Sequence, residues 1–173
     1  IELIDGGLGE NIFQVGYDDS IDLSTFTNGV DFLNFAYITD GNNNETLHAT
    51  AGDDVIVMSA GTGNDNFYGE AGDDIFRIDG IQEGDDRIHG GDGTDSILGG
   101  DNDDTLRLVQ MSGIEHIDLG AGENIIIADY GDTLDFSSFA ASDFLNVTYL
   151  EDDINAETLI GSQGDDTFRI RTD

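Results

Sequence analysis

The 173-residue chain contains no cysteine and no lysine, and no apolar run approaches the roughly 18 residues that a membrane-spanning helix needs. Without cysteine there is no disulfide or thiolate–metal framework. Only 5 basic residues, all arginine, stand against 38 acidic ones, so the formal net charge is -33. A body of that charge is a poor partner for nucleic acid or an anionic membrane, and it repels itself unless cations neutralise it. Catalytic signatures are missing as well: there is no H-E-x-x-H and no nucleophile elbow. Nothing near Ile1 has the pattern of a signal peptide. The chain also begins without Met, and we expect it to be a segment of something longer.

What is present is not a solvating tail. Hydrophobic residues make up 38% of the chain, with 10 Phe and 5 Tyr, more than an acidic disordered segment carries. The expectation is a chain that is ordered when metal is bound and disordered without it. Its organising stretch runs from Ala60 to Arg107. Gly90 to Leu98 (GGDGTDSIL) matches G-G-x-G-x-D-x-U-x, with U a large apolar residue, at every fixed position. The same nine-residue word recurs in Ala60 to Tyr68, Gly69 to Arg77, Ile81 to His89 and Gly99 to Arg107. Asp65, Asp74, Asp86, Asp95 and Asp104 all fall at position six.

Each residue type has a physical reason. Glycine at positions one, two and four lets the backbone take positive φ, so that main-chain carbonyls converge where a Cβ would clash. The position-six carboxylate adds an oxygen, and a loose set of carbonyl and carboxylate oxygens suits calcium better than magnesium's strict octahedron. Positions seven to nine are extended, which places Phe67, Phe76, Ile88, Ile97 and Leu106 on the inside. One buried apolar side chain per word returns less than nine ordered backbones cost, so calcium binding and folding are expected to be one event.

Outside this block the words degrade. Gly6 to Gln14 has Asn11 at position six, Asp40 to His48 has Glu45 there, and Ala49 to Val57 keeps Gly52, Asp54 and Ile56. Asp19 to Phe26 and Phe32 to Ile38 read as longer, calcium-free strands. Beyond Arg107 the chain repeats its beginning: Ile4 and Ile117, Gly9 and Gly122, Asn11 and Asn124, and Phe26 and Phe139 all stand 113 apart. A one-residue deletion then brings Phe32 to Phe144 and Asp54 to Asp166, 112 apart. The expected divisions are a calcium-poor flank at 1–48, a calcium-binding block at 49–107, a second flank at 108–160 that duplicates the first, and a new block beginning at 161. Residues Gly161 to Arg169 carry Asp166 at position six, and a tandem array continuing in both directions is expected.

Residues 60 to 107 resemble the RTX (repeats in toxin) calcium-binding family, and the duplicated segments resemble the irregular flanks of long RTX surface proteins. The resemblance implies an all-β fold, a right-handed parallel β-roll or β-helix solenoid with two words per turn. It also implies several Ca2+ ions between stacked loops, type I secretion and folding outside the cell. Carried over by position, one edge stacks Asp65, Asp86 and Asp104, and the other stacks Asp54, Asp74 and Asp95. Asp166 belongs to the next block. Further oxygens come from the carbonyl positions Gly69, Ala71, Gly72, Gly90, Asp92, Gly93, Gly99 and Asp101. The sequence departs from the pattern at Asn102 and at Ile81 to Glu83.

Other groups read more plainly. Asp53, Asp73, Asp85, Asp103 and Asp165 at position five read as outward-facing charge. His48, His89 and His116 read as surface or strand residues, and Arg77, Arg107 and Arg169 as partners of exposed acids worth little in water. The expected function is non-enzymatic, a calcium-stiffened stalk, adhesin, fibre or surface-layer element of a large secreted protein. The alternatives are the folding and secretion module of a secreted enzyme or toxin, and a carbohydrate- or surface-binding module. Beyond calcium, the candidate partners are copies of itself end to end or a surface or carbohydrate ligand, with no nucleic acid and no membrane insertion.

Overall fold

The computed structural model describes residues 3–6, 8, 11–16, 20–26, 32–33, 35–39, 42–58, 60–78, 80–82, 84–129, 133–152 and 158–170, without the side chains of 32–37. Among them there is no helix. The chain winds as a solenoid because each nonad gives one short strand and then a glycine-bearing loop that turns it. The first passes are β1 (Ile4–Asp5), β2 (Asn11–Gln14), β3 (Ser20–Asp22), β4 (Phe32–Leu33), β5 (Phe35–Thr39) and β6 (Thr46–His48). The nonad block supplies β7 (Val55–Met58), β8 (Asn66–Ala71), β9 (Ile75–Ile78), β10 (Asp86–Asp92), β11 (Ser96–Leu98) and β12 (Thr105–Ser112). The remainder is β13 (His116–Asp118), β14 (Ile125–Ala128), β15 (Thr133–Asp135), β16 (Phe144–Leu145), β17 (Tyr149–Asp152), β18 (Thr158–Ile160) and β19 (Phe168–Ile170).

All pairings are parallel. An 8-stranded sheet runs β3, β6, β8, β10, β12, β14, β17, β19, and a 7-stranded sheet runs β2, β5, β7, β9, β11, β13, β16. Within the block successive strands alternate between these two sheets, so two nonads make one turn. The position-eight residues stack in register, Leu47 on Phe67 on Ile88 in one sheet and Ile56 on Phe76 on Ile97 on Ile117 in the other. All seven are 0% exposed. The two rows face each other as the core, and Phe136, Phe139 and Phe144 extend it with ring centroids 5.0 to 6.1 Å apart.

Two features differ from the sequence reading. The longest strands begin in the nonad block, not in the flanks: β12 has 8 residues and runs on past Arg107, β10 has 7 and β8 has 6, against 5 for β5. β8 and β10 run past position nine into the next loop, where Gly69, Gly90 and Gly91 let one backbone lie close on another. Second, Ile88 faces Met111 rather than Leu106, and Leu106 pairs with Ile126. The cause is the insertion at 78–80 together with the first two residues of the next nonad, Ile81 and Gln82, which act as one Ile78 to Gln82 insertion. Ile81 bridges Thr105, the Gln82 amide N–H donates to the Thr105 carbonyl at 2.8 Å, and Gln82 Nε2 donates to the Met58 carbonyl at 3.0 Å. The last nonad therefore stacks on the insertion, and the chain reaches β10 only at the end of the long β12.

The duplication is visible in the pairing. β1–β4, β2–β5, β3–β6 and β5–β7 recur as β13–β16, β14–β17, β15–β18 and β17–β19. Tyr17, Asp19, Tyr130 and Asp132, also matched by the repeat, lie outside the described residues. Because Phe76 sits at the centre of its row with no solvent contact, Phe76→Ala is expected to cost about 3–5 kcal/mol, read as a lowered urea midpoint at saturating calcium with an unchanged m-value.

Candidate metal centre

The position-six side chains do more than line a loop. Asp74 Oδ1 accepts the Asp54 amide N–H at 2.8 Å, Asp95 Oδ1 accepts that of Asp74 at 2.9 Å, and Glu115 Oε2 accepts that of Asp95 at 2.8 Å. On the other edge, Asp65 Oδ1 accepts the Glu45 N–H at 2.6 Å and Asp86 Oδ1 the Asp65 N–H at 2.9 Å. Each carboxylate thus ties its own turn to the turn before it. Asp104 does not stand beside Asp86. It accepts the Gly80 N–H at 2.8 Å and donates its own N–H to Asn124 Oδ1 at 2.9 Å, a third column created by the Ile78 to Gln82 insertion. Asp166 is half-buried at the end of the solenoid, where its Oδ1 accepts from Ser162 Oγ at 3.0 Å.

The second carboxylate oxygen separates these residues. Asp54 Oδ2 accepts the Thr50 N–H at 2.8 Å and the Thr50 O–H at 2.7 Å, and Asp104 Oδ2 accepts the Gly100 N–H at 2.9 Å. Asp74 Oδ2 and Asp95 Oδ2 are buried with no hydrogen-bond donor. Other acceptors converge on the same spots. A Cβ built on Gly69 would run into Asp74 Oδ2 and lie 2.5 Å from the Gly90 carbonyl oxygen. One built on Gly90 would run into Asp95 Oδ2 and the Gly113 carbonyl. Each corner is a small cradle walled by oxygens and lacking a donor, which costs energy unless a cation sits there. The oxygens are hard and mostly neutral, and this donor set fits calcium. Among the described residues no three His, Cys, Asp or Glu side chains converge on one point, because each cradle uses carboxylates one at a time and draws the rest from the main chain.

The remaining carbonyl candidates fall out unevenly. Gly72 and Gly93 hold φ of +127° and +146°, the left-handed turn expected of position four. The Asp92 carbonyl accepts the Gly72 N–H at 2.9 Å, so it joins the loops directly. Ala71 is half-buried beside them and Asp101 is exposed. Gly99 faces Asp104, whose Oδ2 a Cβ there would meet at 2.5 Å.

A scan against family models finds the RTX calcium-binding nonapeptide repeat in 4 copies, over residues 39–75, 82–107 and 153–169. Over those residues the chain carries RTX calcium-binding nonapeptide repeats. No curated protein and no solved structure matches it. Two residues at the cradles were not legible in the sequence. Glu115 and Gly113 close the last cradle of the Asp74 column from outside any nonad, and only the register of β11 on β13 brings them there.

Of the position-five acids, Asp53, Asp73, Asp103 and Asp165 are exposed, as read, and Asp85 is half-buried; Asp53 and Asp73 are also ordered. Asp53 Oδ1 accepts the Asp73 N–H and Asp73 Oδ1 the Thr94 N–H, both at 2.8 Å, making an outer ladder parallel to the inner one. The arginines depart from expectation. Arg107 pairs with buried Asp129, and Arg169 reaches buried Glu151 at 3.3 Å while lying 3.7 Å over the Tyr149 ring. Both acids are desolvated by the neighbouring strands, so these pairs are not the weak surface contacts foreseen. The histidines form strand-to-strand stacks: His48, Tyr68 and His89 lie ring on ring at 4.2 and 4.7 Å, and His48 Nδ1 contacts Glu70 Oε1 at 2.6 Å.

Burial pushes the Asp74 carboxyl up to about 7, with the charges of Asp54, Asp95 and Asp53 adding to the rise against the hydrogen bond from the Asp54 amide. Burial raises Asp95 too, helped by Glu115 and Asp73. A proton and a cation therefore compete for one oxygen. The folded chain without metal binds this proton more tightly than the unfolded chain does. Its stability accordingly falls as pH rises from the ordinary carboxylate range toward 7, while calcium affinity rises over the same window. Calorimetric titration in two buffers of different ionisation enthalpy should show proton release on calcium binding that shrinks above pH 7 and diminishes in Asp74→Asn.

Proposed function

We propose that this RTX chain is a calcium-stiffened structural segment of a large secreted tandem-repeat protein, a stalk, adhesin or surface-layer element. The observation that carries the reading is the recurrence of four strand pairings at the spacing of the sequence duplication. A single solenoid that merely assists folding needs no second copy of an irregular flank. A unit of this kind divides into a calcium-poor flank at 1–48 and a calcium block at 49–107, followed by a second flank at 108–160 and a new block from 161.

The residues assigned to hold calcium are Asp74 with the Gly69 and Gly90 loops, and Asp95 with the Gly90 and Gly113 loops. Asp65 and Asp86 are assigned to the opposite edge. Bound calcium supplies positive charge to cradles that otherwise contain only acceptors. The carboxylates then hold successive turns at fixed spacing through their amide hydrogen bonds, and glycine excludes any side chain from the cradle. In a cell exterior rich in calcium the segment is rigid, and in a calcium-poor interior its charge of -33 opposes folding.

Chelation above pH 7, where a protonated Asp74 no longer supports the metal-free fold, is expected to abolish the β signal in circular dichroism, and a spectrum indifferent to chelator there would overturn the reading. Asp74→Ala and Asp95→Ala should each weaken calcium binding by tenfold or more, about 1.4 kcal/mol for a factor of ten. Asp73→Ala, which removes only an exposed ladder oxygen, should leave binding nearly unchanged in the same isothermal titration.

A further inference from the structure

One corner of the solenoid has the geometry of the aspartate cradles but carries an amide. Asn124 occupies position six of the loop Leu119 to Asn124 and is 0% exposed. Its Oδ1 accepts the Asp104 N–H at 2.9 Å, the same inter-turn bond that aspartates make elsewhere. Its Nδ2 points where Asp74 and Asp95 present an unpartnered oxygen. There it donates to the carbonyls of Leu119 at 2.8 Å, Gly120 at 3.3 Å and Asn146 at 3.0 Å. Leu119 and Gly120 are positions one and two of the same loop, and Asn146 comes from the next turn. The amide orientation follows from chemistry: turned over, the oxygen would face three carbonyls and the NH2 would face an N–H.

We propose that the Asn124 carboxamide takes the place of a cation, making Leu119 to Asn124 a metal-independent clasp between the nonad block and the second flank. The oxygen end keeps the ladder, and the nitrogen end satisfies carbonyls that otherwise converge without a donor. The duplication repeats the residue. Asn11 stands at the equivalent position, 113 residues earlier, with its Nδ2 2.8 Å from where a Gly6 Cβ would be. An asparagine at position six thus closes a corner that an aspartate without a local donor leaves open to calcium. This inference rests on the calcium reading of the aspartate corners given above.

The test compares the full chain with Asn124→Asp and Asn124→Ala, using calcium alone as the probe. Asn124→Asp replaces the donor by an acceptor and should raise the number of calcium ions bound in isothermal titration by one. Asn124→Ala should leave that number unchanged while speeding amide hydrogen exchange at Ile125 and Ile126 at least tenfold in saturating calcium. An unchanged count in Asn124→Asp, or a count lowered by one in Asn124→Ala, overturns the proposal. The unsubstituted chain separates two failures: if it binds calcium and Asn124→Asp gains none, the clasp alone falls, whereas if neither binds calcium the assignment of the aspartate corners falls and the clasp with it.

Discussion

The solenoid depends on one interaction, a side-chain oxygen at position six that accepts the peptide N–H of the position-six residue one turn earlier. The bond runs from Asp54 through Asp74 and Asp95 to Glu115, from Glu45 through Asp65 to Asp86, and from Asp104 to Asn124. It places a polar side chain inside the stack at each of these corners, and at Asp74 and Asp95 burial and neighbouring acids both disfavour the carboxylate charge. Everything else at the corners answers that difficulty. Glycine backbones come close enough for carbonyls to surround the spot, and what completes the corner is a cation, a local donor or an amide.

The three solutions are distributed along the chain. At Asp74 and Asp95 the second oxygen has no protein donor, and the cradle suits calcium. At Asp54 a threonine supplies an N–H and an O–H, and at Asp104 the Gly100 N–H does so. At the entry to the second flank the asparagine nitrogen fills the gap. Further along, two buried acids face arginine instead, Asp129 paired with Arg107 and Glu151 with Arg169.

The core follows a simpler rule. A three-residue strand presents one side chain inward, and in-register parallel stacking turns those side chains into continuous rows. Fully buried Phe67, Phe76, Ile88 and Ile97 are separated from the carboxylate ladder by only two positions, so hydrophobic burial and metal binding are coupled through a very short piece of chain. Losing the corner releases the row.

The nonad made several things legible in advance: the all-β parallel solenoid, the inward position eight and the recurrence of a carboxylate at position six, and the comparison of the two halves added the 113-residue repeat. Each is a local or periodic property, set by which residues tolerate positive φ and which prefer burial. Three things were decided only in the folded chain. The Ile78 to Gln82 insertion claims Thr105 as its neighbour and carries Asp104 into a separate column, because a solenoid register is set by what fits beneath a strand and not by word count. Glu115 and Gly113 join the Asp74 column from outside the motif. Asp54 and Asp74 share the same position in the word, yet their second oxygens differ because Thr50 stands beside one and Glu70 takes the corresponding place beside the other. The sequence by itself determined where carboxylates and glycines recur. The tertiary structure decided which oxygens are left facing one another without a donor, since that depends on the residues brought in from neighbouring turns.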